Sequence, residues 1–273
     1  MAPNRLPERL PLLGRTVLIT SSEERGEELR RAVEALGAEA VLLPVIRHER
    51  RELVEGLEQV LAERESFTHI VFTSPAAVRF FLEATTRLGA GAASWRGARV
   101  AAVGPATARA LTDAGLSPAI TSVGGGGGTL ARRILALDRP GSSHRVLVPG
   151  SAIARKELQS LLTGAGVPVT ALAVYDTVPA APRNLGPILD RLLTSSSPAA
   201  VTFSSPSALR AFTGFAGGLA RAALAHENLR LVSIGPTTSA AIRAEGFPVA
   251  AEASSPTPGA LTRAVVEALG AGQ

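Results

Sequence analysis

The residues best suited to chemistry in this chain are hydroxyls and glycines set in short turns, and they occur twice. Thr73-Ser74-Pro75 recurs as Ser204-Ser205-Pro206, and Gly104-Pro105-Ala106-Thr107 as Gly235-Pro236-Thr237-Thr238, at a shared offset of 131 (206 − 75 and 236 − 105). Ser74 and Ser205 read as helix N-caps with proline at the first helical position, where its missing N–H costs nothing. The Gly-Pro pairs open the next helix in each copy, and glycine lets a ligand or another backbone come close. Helix N-termini carry unpaired N–H groups and partial positive charge, so turns of this kind favour anions such as carboxylates. Taken singly, each turn is a structural cap. Two homologous sets form a candidate binding rim of Thr73, Ser74, Gly104, Thr107, Ser204, Ser205, Gly235, Thr237 and Thr238.

Other chemistries find little support. There is no cysteine, so thiolate metal sites and disulfides are unavailable. His48, His69, His144 and His226 lie far apart without ligand spacing, which argues against zinc. Five glycines at Gly124–Gly128 precede a helix, but no Lys-Ser/Thr follows and no P-loop is formed. That run reads as a mobile βα loop. The net charge of +5 comes from arginines scattered singly, Lys156 being the only lysine, and no basic run stands beside aromatics. Nucleic-acid binding is therefore not expected. Residues 1–14 lack the apolar run of a secretory signal and no stretch resembles a membrane span, so a cytoplasmic protein is expected.

The elements that position these turns alternate in type. Thr16–Thr20, Ala40–Ile46, His69–Phe72, Val100–Val103, Arg145–Val148, Val169–Tyr175, Ala200–Phe203 and Leu231–Ile234 read as strands. Between them, Pro75–Leu88, Pro105–Ala114, Ala154–Thr163, Pro206–Phe215 and Pro236–Ala244 read as helices, several stopped by glycine. Strands alternating with helices imply parallel sheets covered on both faces. A third repeat pairs Val17-Leu18-Ile19 with Val146-Leu147-Val148, so 273 residues read as a duplicated α/β unit.

Taken together, several segments resemble the uroporphyrinogen-III synthase family. They are Ile234-Gly235-Pro236-Thr237-Thr238 followed by Gly246 and Ser255-Pro256-Thr257-Pro258; Phe203-Ser204-Ser205-Pro206-Ser207; Phe72-Thr73-Ser74; Val174-Tyr175-Asp176-Thr177; and the Gly150, Arg155, Leu158 stretch. Their order and spacing cover the chain from Thr16 to Leu269. One departure is Ser21-Ser22, where family members often carry Arg-Pro. The resemblance implies a lyase that closes hydroxymethylbilane, a linear tetrapyrrole with eight carboxylates, into a macrocycle with inversion of ring D and loss of water. It implies no metal or other cofactor. It adds Gly150, Arg155 and Thr177 to the expected substrate contacts and makes Tyr175, the only tyrosine, the candidate for assisting hydroxyl departure.

The expected fold is therefore flavodoxin-like α/β: two similar lobes of parallel sheets flanked by helices, joined by a two-stranded hinge with a cleft between them. Leu43–Glu49 and Leu172–Pro179 are extended and lack a turn signal. Residues 1–44 with 178–273 are expected to form one lobe and 50–172 the other, with 45–49 and 173–177 crossing between them. A monomer is expected. The competing class is a non-enzymatic two-lobed small-molecule binding or sensor protein, which would bind without converting its ligand.

Overall fold

The structure, a computed structural model, describes residues 10–122, 126–137, 144–152 and 157–270. From the amino end the elements are β1 (Thr16–Ile19), α1 (Glu23–Glu34), β2 (Glu39–Leu42), β3 (Ile46–Arg50) and the short α2 (Leu57–Ala62). They continue with β4 (His69–Phe72), α3 (Pro75–Arg87), β5 (Arg99–Val103), α4 (Gly104–Asp113), β6 (Ile120–Ser122) and α5 (Gly126–Leu137). Next come β7 (Val146–Ser151), α6 (Glu157–Gly164), β8 (Val169–Pro179), α7 (Leu185–Thr194) and β9 (Ala199–Phe203). The last are α8 (Pro206–Leu224), β10 (Leu229–Ser233), α9 (Pro236–Ala244), β11 (Ala251–Glu252) and α10 (Pro258–Gly270). The chain divides into two compact units, Met1–Arg47 with Val178–Gln273, and His48–Thr177.

The first unit is a five-stranded parallel sheet in the order β11-β10-β9-β1-β2. Read from β2, this is the doubly wound flavodoxin order. Its central pair joins distant parts of the chain, with Val17 opposite Ala200 and Leu18 opposite Val201. Two buried hydroxyls lock that pair: Thr20 Oγ1 donates to the Thr202 carbonyl at 2.7 Å, and Thr202 Oγ1 to the Leu18 carbonyl at 3.2 Å. Both threonines can sit inside because their polar atoms are bonded there. Side chains alternate across the sheet. Leu18, Val201 and Leu231 pack with Phe203 and Phe212 on one face, while Val17, Ala200 and Val232 pack with Val33, Leu261 and Val265 on the other.

The second unit has strand order β3-β8-β7-β4-β5-β6. Five of these strands are parallel and repeat the order of the first unit, with the chain entering the pattern at a different point. The sixth, β3, starts in the first of the two extended segments read as crossing and pairs with β8, which holds the second. The Arg51 N–H donates to the Val174 carbonyl at 3.4 Å and the Ala180 N–H to the Val45 carbonyl at 2.8 Å, so numbers rise on β3 as they fall on β8. The arrangement is antiparallel because β3 brings the chain into this unit and β8 takes it out. Phe72, Phe81 and Trp95 fill one face of the sheet, and Val71, Leu130, Ile134 and Leu162 the other.

Three sequence expectations change locally. The strand expected at Ala40–Ile46 is two strands, β2 ending at Leu42 and β3 starting at Ile46. Pro44 lies in the gap and has no N–H to continue a ladder. The helix expected at Pro206–Phe215 continues to Leu224 through a kink at Gly217, whose φ of 50° lies in the left-handed region. Gly126–Gly128, expected as part of a loop, form the first turn of α5. A Cβ on Gly128 would lie 2.2 Å from Glu157 Oε1, and one on Gly127 3.1 Å from Leu158 Cβ. These glycines let α5 lie close to α6. Gly124 and Gly125 fall outside the described residues.

Surface charge steadies α1. Arg30 donates to Glu27 and to Glu34, at 2.5 and 2.7 Å at its nearest approaches. The hydrogen bond from Arg30 pulls the Glu27 carboxyl down to a pKa of about 2. Since its folded value is depressed, the stabilisation is present above the ordinary carboxylate range and lost as pH falls through about 2. An NMR titration of the Glu27 side chain should show this low midpoint, and Arg30→Gln should return it towards the ordinary value. An unmoved midpoint in Arg30→Gln would contradict the assignment.

Candidate active site

In both units the carboxyl ends of the central strands lead into helix starts that carry the repeated turns, where doubly wound sheets bind ligands. In the second unit, Thr73 and Ser74 form the bend between β4 and α3. Ser74 caps α3, its hydroxyl accepting from the Ala77 N–H at 3.1 Å with Pro75 at the first helical position. Gly104 is the first residue of α4 with φ of 79°, a conformation that glycine adopts without strain. A Cβ there would meet nothing within 4 Å, so backbone conformation and not space calls for glycine. Thr107 follows in the same helix turn and is buried.

Tyr175 enters this group from β8. The register between β7 and β8 slips after Gly150, which faces Ala173, so that Ser151 faces Tyr175 and Val174 is skipped. Such a bulge re-aims side chains. Here it sends the consecutive residues Val174 and Tyr175 into the same hydrophobic cluster, which strict alternation forbids. Tyr175 is 6% exposed. Its ring stacks on Phe80 with centroids 5.3 Å apart and meets His48 edge-on at 4.9 Å. Its hydroxyl lies 3.3 Å from Ser74 Oγ. The cap of α3 and the phenol thus share one hydroxyl.

Thr177 continues the same strand. Its Oγ1 is 3.3 Å from His48 Nδ1 and 3.4 Å from Ser151 Oγ. Between Tyr175 and Thr177, Asp176 pairs with Arg51 at 3.0 Å. Tyr175, Ser74 and Thr177 are therefore joined through His48 and Ser151, two residues that the sequence reading did not select. His48 was one of four histidines without ligand spacing. Only the antiparallel pairing of β3 with β8 brings it to Tyr175. Nearby, a groove of about 710 Å³ is lined by Arg50, Arg79, Leu82, Glu83, Thr86 and Arg87. The Arg79 guanidinium lies 4.6 Å from the centroid of Phe80, the ring that stacks on Tyr175. Arg155 lies outside the described residues.

The first unit repeats the turns with different polar surroundings. Ser204 and Ser205 follow β9, and Ser205 Oγ accepts from the Ala208 N–H at 3.2 Å to cap α8. Gly235 precedes α9, its carbonyl accepting from the N–H groups of Thr238 and Ser239, each at 3.0 Å. Thr237 is exposed, whereas Thr238 is fully buried and its Oγ1 has no hydrogen-bond partner among the described residues. A buried hydroxyl without a partner is costly, about 1–3 kcal/mol. Beneath it, Ser239 Oγ donates to Glu252 at 2.5 Å and sits 2.6 Å from Ser233 Oγ. The sequence reading missed this relay, although Ser239 directly follows the threonine pair.

The caps give a direct test. Ser205→Ala should destabilise the first unit by about 0.5–2 kcal/mol, the usual cost of a lost N-cap. Ser74→Ala should cost at least as much, because it also leaves the Tyr175 phenol without its hydroxyl partner. Urea unfolding of both variants checks this, and equal stability of Ser205→Ala and the parent would refute the capping role. Among the described residues no group of three His, Asp or Glu side chains could hold a metal ion, and no helix is long and apolar enough to cross a membrane.

The fold defines a duplicated, doubly wound α/β protein that carries hydroxyls and helix starts at the carboxyl ends of the strands in each unit, with one phenol in the second. The chain belongs to the uroporphyrinogen-III synthase family: residues 27–263 match the family model described as uroporphyrinogen-III synthase HemD. The chloroplastic uroporphyrinogen-III synthase of Oryza sativa subsp. japonica is 30% identical over 240 residues, covering 85% of this chain and 73% of the rice protein. Among solved structures, uroporphyrinogen-III synthetase from Helicobacter pylori superposes with a TM-score of 0.58 at 17% identity, over 91% of this chain and 97% of that one. A mutant uroporphyrinogen III synthase from Thermus thermophilus gives 0.55 at 21% identity, over 93% and 98%. At these identities the two structures speak for the fold.

Proposed function

We propose that this chain is a cyclising lyase that converts hydroxymethylbilane into uroporphyrinogen III, inverting ring D with loss of water. The observation that carries the reading is the family match over residues 27–263. The site is consistent with it. The carbon that bears the departing hydroxyl becomes an electrophilic azafulvene, a ring carbon attacks it, and a spiro intermediate is held while one carbon–carbon bond breaks and another forms. The substrate supplies both nucleophile and electrophile, so the protein's task is to hold the two ends in register and to ease loss of the hydroxyl. Tyr175 is suited to donate a hydrogen bond or proton to that leaving oxygen, which departs as water.

The carboxylates of such a substrate match donors of three kinds in the second unit: the backbone N–H groups at the starts of α3 and α4, the hydroxyls of Thr73 and Thr177, and arginine forks such as Arg79 and Arg87; the first unit by itself offers the helix starts of α8 and α9 with the hydroxyls of Ser204 and Thr237. We further propose a monomer acting in the cytoplasm, its rice relative being a chloroplast protein. The experiment is to supply hydroxymethylbilane and resolve the product isomers. The type III isomer is expected in excess over the type I isomer that forms spontaneously. Type I alone, at the uncatalysed rate, would return the chain to a binding role.

A further inference from the structure

We propose that His48 is a positioning residue for Tyr175 and that its protonation state is sensed directly by the phenol; the inference rests on the role given above to Tyr175. His48 and Thr177 are the first and last residues of the second unit, so their side-chain contact joins the two passages of the chain. The imidazole meets the Tyr175 ring edge-on at 4.9 Å and an interplanar angle of 70°, while Phe80 stacks on that ring at 25°. Phe80 and His48 together fix the plane of the phenol. Its hydroxyl is then held towards Ser74 at 3.3 Å. Loss of the imidazole would free one of the two rings that determine where the hydroxyl points.

The hydrogen bonds make the contact responsive to charge. A neutral imidazole with a bare Nδ1 accepts from the Thr177 hydroxyl, so Ser151 must donate to Thr177. A protonated imidazole donates from Nδ1, so Thr177 can turn its proton towards Ser151. In the tautomer with a bare Nδ1, one proton on His48 therefore reverses the direction of two hydrogen bonds, and in either tautomer it places a positive charge beside the phenol ring. Other charged groups near it are Asp176, paired with Arg51, Arg79 on α3 beyond Phe80, Arg50 on the same face of β3 and paired with Glu52, and Arg47 and Glu49 on the same strand. Strand alternation sends the last two to the opposite face from His48. Carboxylates and guanidiniums keep their charge between about pH 5 and 8, where an imidazole changes its own. His69 and His144 stand at the amino ends of β4 and β7, away from the carboxyl-end rim, and His226 belongs to the first unit.

Because the chain has a single tyrosine, this coupling can be read from one signal. Tyr175 labelled at its phenol carbon should give an NMR resonance that shifts with an inflection between about pH 5 and 8. In His48→Gln that inflection should vanish. The same variant should turn over about tenfold more slowly with KM changed less than about twofold, since a loosened reacting group costs rate and not binding. A resonance flat across this range in the parent chain, an inflection that survives in His48→Gln, or unchanged turnover in that variant would overturn the proposal. The parent's titration needs no substrate and no variant. A chain that makes no type III isomer would sink the functional reading, while the resonance would still decide the coupling.

Discussion

Replacing Tyr175 by Phe is expected to lower turnover by about 10–100-fold while leaving substrate binding nearly unchanged. The ring remains, so its stack on Phe80 and its edge contact with His48 persist. Only the hydroxyl disappears, and with it the contact to Ser74. If that hydroxyl serves structure alone, its loss costs about 0.5–1.5 kcal/mol of stability and turnover stays where it was. Measuring turnover and melting on the same variant separates the two outcomes. A lowered melting point with parental turnover would remove Tyr175 from the chemistry and leave positioning of the substrate as the main source of catalysis.

Phe81→Ala is expected to have the largest effect on stability, about 3–5 kcal/mol, because it empties the centre of the second unit's aromatic cluster. Phe81 is fully buried, with its ring centroid 5.6 Å from that of Phe72 and 4.9 Å from that of Trp95. Trp95 is the only tryptophan, so its fluorescence reports unfolding of this unit without interference from the other. Thermal or urea unfolding followed at the tryptophan should show an early transition in the variant. A loss below about 1 kcal/mol would mean that the neighbouring rings close the space, in contrast to the rigid packing usual in cores.

Both expectations concern residues that the sequence exposes unequally. Phe81 lies on the helix that the sequence reads from Ser74-Pro75, a local pattern, though its place in the core comes from the structure. The caps are local too: Ser74 and Ser205 each bond a backbone N–H three residues on. Interactions over three or four residues depend on few competing partners, so residue type alone specifies them. The repeat at an offset of 131 and the alternation of apolar runs with helices likewise identified parallel sheets flanked by helices. Tyr175 stood out because there is only one tyrosine and the family pattern places it.

Tertiary structure decided what rests on distant pairings. Thr20 bonds Thr202, 182 positions away; the crossing segments put β1 and β9 in one expected lobe, but their adjacency and register in the sheet are visible only in the folded chain. His48 reaches Thr177 across 129 positions, and its ring meets Tyr175 only because β3 runs antiparallel to β8. The bulge at Ser151 is a matter of register, one residue out of step, and beyond it Tyr175 joins Val174 in the core. Gly126–Gly128, which read as a loop, became the start of a helix once α6 came against them. Local chemistry is therefore legible from residue order, because each residue meets its near neighbours in every conformation. Sheet partnership and register are settled by burying many side chains at once, and only the folded chain shows which pairing buries them.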